Sequence, residues 1–323
     1  FSPLNAVRMA TLSTHRKRPN VLAGLVVGSS ATASAVLFSH PMETLKTRFQ
    51  LQGELMKRGE GVRIYTGVMQ GLRMVAAQEG PTALYAGLGA GVLYQIVMNG
   101  TRLGLFEPLR EQIAALYPGD SRPSTAGGVI VGVVSGTIVG VLGGGLASPF
   151  FQAKVRLQMG KSAAAMGLKA QYAYAGTAEA LQDIYRAGGV SSLFRGSGIA
   201  MLRTGVGSAT QLSSYGFCKD IIRGFGVEDG VPQHLMASTL AALVCTTAIN
   251  PIDVVMTRIY NQSADKSAAL YKSPFEAFAL AIRTEGLGAF YKGWGAHFAR
   301  LVRQRAAAVG KGSGGARPVS SRN

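Results

Sequence analysis

Pro41, Pro149 and Pro251 fall 108 and 102 residues apart, and the chain restarts one pattern at each of them. The stretches "HPMETLKTRFQLQ" (40–52), "SPFFQAKVRLQMG" (148–160) and "NPIDVVMTRIYNQ" (250–262) place an arginine seven residues after the proline, at Arg48, Arg156 and Arg258. Gln50, Gln158 and Tyr260 follow nine residues after it. A second marker repeats behind the first: "EGPTALYAG" (79–87), "GGVSSLFRG" (188–196) and "EGLGAFYKG" (285–293) share a glycine, an aromatic five residues on, and a glycine two further. Between the two lie "YTG" (65–67), "YAG" (174–176) and "YKS" (271–273). Unrelated markers in one order, three times over, make the chain a triplicated unit of about one hundred residues.

Each unit opens on an uncharged run, at 21–41, 126–151 and 235–252. The first two are long enough to cross about 30 Å of hydrocarbon as helix, and the third becomes so if Val254 and Val255 continue it. A polar loop with a short amphipathic segment follows, such as "TAEALQDIYRA", then a second apolar run, at 81–101 in unit one and 196–218 in unit two. The units are bounded at 21–111, 124–223 and 232–301, between a basic segment at 1–20 and a basic tail at 302–323. Small residues recur every fourth place in the first runs: Gly24 and Gly28; Gly128, Gly132, Gly136, Gly140 and Gly144; Ala237, Ala241 and Cys245. Such stripes let helix backbones approach closely in lipid. With 47% hydrophobic and only 15% charged residues, the chain reads as a helical membrane protein. A net charge of +17 would also suit a nucleic-acid binder. The long uncharged runs argue against that partner.

No enzyme, cofactor or metal constellation competes. His15, His40, His234 and His297 are scattered without ligand spacing, and His40 reads as an interfacial residue at a helix end. Cys218 and Cys245 sit in apolar surroundings and read as packing residues. There is no phosphate loop and no framed nucleophile.

Proline near the end of a transmembrane helix kinks it. Kinks at Pro41, Pro149 and Pro251 around one axis swing three helix ends together, so the charges just beyond them meet at one end of a bundle. Glu43 lies three residues before Lys46, and Lys154 and Asp253 hold the corresponding positions in the other units. Opposite charges there can pair between neighbouring helices and close a gate that must later open.

Proline, acid and base at this spacing, tripled, resemble the mitochondrial carrier family, whose motif is P-x-[DE]-x-x-[KR]-x-[KR] followed by [DE]-G-x4-[WYF]-[KR]-G. The resemblance covers about residues 20–301. It implies an all-α fold of three tandem repeats, each with two transmembrane helices and a short matrix helix. These form a pseudo-threefold bundle in the mitochondrial inner membrane, with alternating access between matrix and cytoplasmic gates. Unit two has Phe151 where the family places an acid, and unit three has Met256 where it places a base. The family's ring pairs these two positions, so no orphan charge is left, which would be costly. The implied matrix gate is therefore Glu43–Lys154, Lys46–Asp253 and a Phe151–Met256 contact, with Gln50, Gln158 and Tyr260 beyond it. A charge swap at Glu43 and Lys154 is expected to restore transport.

Charged residues inside apolar spans are rare and usually functional. Arg203 interrupts the fourth span, and Arg300 falls early in the sixth. Each lies seven residues after the glycine closing the second marker, and the same count from Gly87 gives Tyr94. Threefold symmetry puts Tyr94, Arg203 and Arg300 at one depth, facing one axis. They match the family's substrate contact points, and the pair Arg203–Thr204 resembles its keto-acid class. Two guanidinium groups suit a small dianion, since each grips a carboxylate or sulfate bidentately. Gln95 is adjacent to a contact residue. Arg102 lies two turns beyond Tyr94 and either lines the cavity mouth or snorkels towards headgroups. The stretches "RTGVGSATQLSSY" and "YQIVMNGTRLGLFEPLR" are similar to oxaloacetate-carrying members of the family. That implies oxaloacetate, with sulfate, thiosulfate, malonate or isopropylmalate as companions, moved by exchange or with a proton. A dicarboxylate, 2-oxoglutarate or sulfate carrier remains the alternative. The implied partners are a small anionic metabolite and inner-membrane lipid, cardiolipin included, around a monomer.

The family's cytoplasmic gate uses an aromatic, an acid, two spacers and a base. "FEPLR" (106–110) is whole, while "YGFCK" (215–219) has Gly216 in place of the acid. Glu107–Lys219 is the expected link, with Arg110 lacking its partner on the sixth helix. After Leu301 the chain reads "VRQRAAAVGKGSGGARPVSSRN", a basic and disordered tail where a helix of some 20 apolar residues is expected. The sixth helix therefore reads as truncated or replaced. A genuinely shortened, non-transporting remnant is the competing expectation.

Overall fold

The computed structural model describes residues 37, 39–54, 64–121, 125–159, 174–226, 230–262 and 270–302. Among them are helices and no strand. Repeat one contains α1 (39–51), α2 (Val68–Gln78), a 3-10 turn (Pro81–Tyr85) and α3 (Leu88–Leu116). Repeat two contains α4 (Ala126–Leu146), α5 (Ser148–Met159), α6 (Thr177–Leu193) and α7 (Ser197–Gly224). Repeat three contains α8 (Val231–Asn261), α9 (Pro274–Glu285), a 3-10 turn (Leu287–Tyr291) and α10 (294–302). The basic segment 1–20, most of the first uncharged run with Gly24 and Gly28, and the tail from 303 lie outside the described residues. The sixth helix is described over 294–302.

The three sequence markers become three structural joints. The third marker starts each short amphipathic helix, with Gly67, Gly176 and Ser273 as N-caps of α2, α6 and α9. Ser273 Oγ accepts from the Glu276 amide, and Glu276 accepts in return from the Lys272 amide, so two donors of the first turn are satisfied. The second marker is the turn back into the membrane. Its final glycines, Gly87, Gly196 and Gly293, hold φ of 74°, 88° and 77° and open α3, α7 and α10. A side chain there would be strained by φ and would strike the next repeat. A Cβ would lie 3.0 Å from Lys154 O, 2.8 Å from the Tyr260 ring and 3.1 Å from Lys46 O respectively. The start of each even helix is thus seated on the odd helix of the following repeat, and the order closes from three back to one.

The prolines behave differently from one another. Pro149 follows a break at Ala147 that divides α4 from α5, whereas Pro251 sits inside the continuous α8 and Pro41 inside α1. Three stretches are long and apolar enough to cross a membrane among the described residues: Pro81–Leu116, Gly127–Leu146 and Pro232–Asn261. The glycine stripe of α4 is a close-packing surface. Gly140 and Gly144 lie under Thr204 of α7, and Gly143 lies under Met98 of α3. Ala237 and Ala241 pack with Cys218 and Ile222, and both cysteines are buried free thiols.

The arginines seven residues past each proline are among the most buried large side chains. Arg48 grips Glu79 through both terminal nitrogens (2.5 and 2.9 Å), and Arg258 grips Glu285 (2.7 and 2.9 Å). Repeat two has Gly188 in place of that acid, and Arg156 donates to the carbonyls of Tyr260 (3.3 Å) and Gln262 (3.0 Å). Each arginine ties its odd helix to a neighbouring loop, with the forked geometry suited to carboxylates.

Repeats one and three also meet at a junction outside the spans. Tyr271 Oη donates to Glu54 Oε1 (2.9 Å), while Lys292 Nζ donates to Gln52 O (2.9 Å) and Glu285 Oε2 (2.6 Å). Burial, aided by the nearby Glu285, pushes the Glu54 carboxyl up to about 7 against the pull of Arg258, Tyr271 and Lys292. The folded state therefore holds this proton more tightly than the unfolded chain. Its contribution to stability is full at acid pH, falls as pH rises through about 7, and is constant above. Thermal unfolding in detergent at pH 6 and pH 8 should show the wild type losing about 3 °C more than Glu54→Gln. Equal losses would remove Glu54 as the titrating group.

Candidate functional site

Just beyond the three prolines α1, α5 and α8 converge, and with Arg203 of α7 and Arg300 of α10 they bring four basic side chains onto two carboxylates. Glu43 accepts from Lys154 Nζ through Oε2 and from Arg300 Nη1 through Oε1, the latter at 2.8 Å. Asp253 accepts from Lys46 Nζ through Oδ2 and from Arg203 Nε through Oδ1, both at 2.5 Å. His297 Nδ1 lies 3.3 Å from the same Oδ2. Asp253 is 1% exposed and Glu43 13% by side chain, so these contacts are little screened.

The pairs Glu43–Lys154 and Lys46–Asp253 are implied by the resemblance to the carrier family. Their sharing is not. Arg203 and Arg300, picked out as charges inside apolar spans, reach the same acids as the lysines. Four fixed positive charges around two negative ones leave a surplus of two at the axis of the bundle.

The third seam, between repeats two and three, is apolar. The Phe151 ring lies edge-on to Tyr94 (5.2 Å between centroids) and tilted against Tyr260 (5.6 Å). Lys154 Nζ stands 5.5 Å above its centroid. Met256 is buried in the cluster against which Phe151 packs. Phe151 therefore joins an aromatic stack as well as the cluster that holds Met256.

One polar contact more closes each seam. Gln158 accepts from Thr47 Oγ1 (2.7 Å) and donates to Thr44 Oγ1 (3.3 Å), joining repeats one and two. Gln50 accepts from Thr257 Oγ1 (2.8 Å), joining one and three. Tyr260 Oη meets Ser148 Oγ (2.7 Å) and donates to Gly196 O (3.2 Å), joining two and three. These are the residues nine past each proline, and their reach across seams follows from one further helical turn.

Other expected site residues fall elsewhere. Thr204 is turned away from the ring: its hydroxyl donates to Ala200 O (2.8 Å) and its methyl packs on Gly140. Adjacent helix positions point about 100° apart, so Arg203 and Thr204 serve different faces. Gln95 is half-buried beside Tyr94, and Arg102 is exposed on α3. Glu107 does not reach Lys219 but lies 3.6 Å from Arg110 of its own helix. Glu107 is mostly exposed, and its acid is met by the base one turn along its own helix. His40 is not interfacial: it is fully buried, its Nε2 lies 2.9 Å from Ala86 O, and its ring stacks on Tyr85. His297 and Asn250, at the centre of the site, carried no sequence signal beyond lying one turn before Arg300 and Asp253 respectively.

The mitochondrial carrier protein family model matches residues 17–115, 127–225 and 227–310, one match for each repeat. The mitochondrial citrate transporter E of Aspergillus niger is 38% identical over 278 residues, 86% of this chain and 87% of that protein. The mitochondrial oxaloacetate transport proteins of Schizosaccharomyces pombe and Saccharomyces cerevisiae are 38% and 37% identical, over 90% and 86% of this chain and 88% and 83% of theirs. Three matched repeats, each with its proline, buried arginine and left-handed glycine, make the chain a member of the mitochondrial carrier protein family, a multi-pass protein of the inner membrane.

Proposed function

We propose that this carrier moves small organic dianions across the inner membrane by alternating access, with oxaloacetate first among them and malonate, isopropylmalate, sulfate and thiosulfate as companions. The observation that carries the reading is the surplus of two positive charges at the axis, supplied by arginines whose forks fit carboxylates. Arg203 and Arg300 bind the two ends of the substrate, Tyr94 walls the site, and Glu43, Lys46, Lys154 and Asp253 form the matrix gate. Glu107, Arg110 and Lys219 belong to the cytoplasmic gate. Relatives named for oxaloacetate agree with this substrate class.

A second reading is favoured by one relative named for citrate and another, from Dictyostelium discoideum, named as a probable 2-oxoglutarate/malate carrier. Citrate carries a third carboxylate for which neither arginine fork is left, which places it behind the dianions. A cavity of about 710 Å³ between repeats two and three, lined by Ile199, Leu202, Val255 and Phe278 with Arg195 and Lys272, suits a lipid with acyl chains and an anionic headgroup, cardiolipin included. One chain closes the pathway, so the carrier acts as a monomer.

The test is uptake into liposomes holding the purified carrier, preloaded with unlabelled anion. Labelled oxaloacetate, malonate and sulfate should enter faster than citrate, and 2-oxoglutarate entering faster than oxaloacetate would favour the second reading. Exchange confined to cations, neutral amino acids or nucleotides would overturn the reading.

A further inference from the structure

We propose that His297 is the proton-binding residue of the transport cycle, taking up one proton with each anion that draws Arg203 off Asp253. The inference rests on the anion-carrier reading and adds to it the residue that binds the proton.

His297 is 1% exposed on α10, one turn before Arg300. Its surroundings fix which nitrogen already carries hydrogen. Asn250 Nδ2 donates to Phe290 O (2.6 Å), so the amide turns Oδ1 towards the imidazole, 3.5 Å from Nδ1. Asp253 Oδ2 stands 3.3 Å from the same nitrogen. Two acceptors facing Nδ1 make it the N–H, which leaves Nε2 as the atom that takes a second proton.

The charged groups around the ring decide when that proton is favourable. From α8 it faces Asp253; from α1, Lys46; from α7, Arg203; and on its own helix Arg300, with Glu43 beyond. In the empty, closed site Asp253 is already served by Lys46 and Arg203, and a third cation on it would meet two like charges. An anion carboxylate that engages the Arg203 fork competes with Asp253 for it. Asp253 then keeps one cation, the anion adds negative charge close by, and an imidazolium takes the vacated place. No bond other than N–H forms, and the proton comes from the aqueous side open to the cavity.

Linkage makes the effect reciprocal: if anion binding draws a proton, acid strengthens anion binding, by up to about tenfold per pH unit for one coupled proton. The carrier then moves a dianion together with H+, and a pH gradient drives net uptake.

His297→Asn keeps an N–H donor near Nδ1 and cannot take a second proton. In liposomes carrying an internal pH dye, the ratio of gradient-driven malonate uptake to malonate–malonate exchange should fall at least about tenfold from wild type, with proton entry falling in step. A variant with wild-type ratio and wild-type proton entry overturns the proposal. Should the variant lose exchange as well, the wild-type carrier alone decides. Calorimetric titration with malonate in two buffers of different ionisation enthalpy should show about one proton taken up per anion bound, and none taken up overturns it. Exchange without proton uptake leaves the anion reading standing. If the wild type neither binds nor exchanges malonate, oxaloacetate or sulfate, that reading falls, and this one falls with it.

Discussion

Arg203→Ala and Arg300→Ala should each lower exchange of oxaloacetate or malonate in liposomes by about a hundredfold or more. Truncating one partner of a buried, hydrogen-bonded charge pair costs about 2–5 kcal/mol, which spans roughly thirty- to several-thousandfold. Each arginine meets that condition twice, once with its gate acid and once with the incoming carboxylate. The lysine variants retain the charge and lose the fork, so Arg203→Lys should keep part of the maximal rate while its KM rises. Thermal unfolding separates binding from folding, because Asp253 retains Lys46 at 2.5 Å when Arg203 is removed. Undiminished exchange by Arg203→Ala would sink the assignment of the substrate site.

The second large effect concerns the reciprocal exchange Glu43→Lys with Lys154→Glu. A ring of isolated pairs predicts full rescue, and the sequence alone leads to that expectation. Glu43 is shared with Arg300, however, at 2.8 Å through its other oxygen. A lysine at position 43 would regain its partner at 154 and face the Arg300 guanidinium with like charge. The single variants should be nearly inactive, and the double swap should stay about tenfold or more below wild type, because like-charge juxtaposition in a buried site costs several kcal/mol. Swapping Lys46 and Asp253 should rescue less still, since the new cation at 253 would meet Arg203 with like charge and leave the His297 Nδ1–H without its carboxylate acceptor. Full rescue by the first swap would show that Arg300 does not load Glu43 in the working cycle.

The contrast marks what a reading of the chain can reach. The seams, the gate pairs and the residues one turn beyond them were legible because each depends on a local period repeated three times. Proline, acid, base and brace stand at fixed offsets on one helix, and the resemblance to the carrier family implies which helix answers which. The bond from Arg300 to Glu43 joins positions 257 residues apart and depends on how deeply α10 enters the bundle. No spacing within one repeat encodes that depth. Thr204 is adjacent in sequence to a site residue but turned about 100° from it on the helix, facing Gly140 and Gly144 of α4. Glu107 meets Arg110 of its own helix, a contact that a motif read only for partners on other helices passes over. His40 and His297 were discounted as scattered, and both are buried against groups from other elements.

The seam at Phe151 gives the closed bundle an uneven response to temperature. Hydrophobic contacts weaken on cooling, and ion pairs become cheaper to desolvate on warming, so both kinds of contact firm in the heat. Two edges of the proposed gate are ionic and the third is the stack of Tyr94, Phe151 and Tyr260. The apolar edge differs in carrying the large heat-capacity change of apolar burial, so its strength curves with temperature. An Arrhenius plot of transport should accordingly bend where a gate of three ion pairs would give a straighter line.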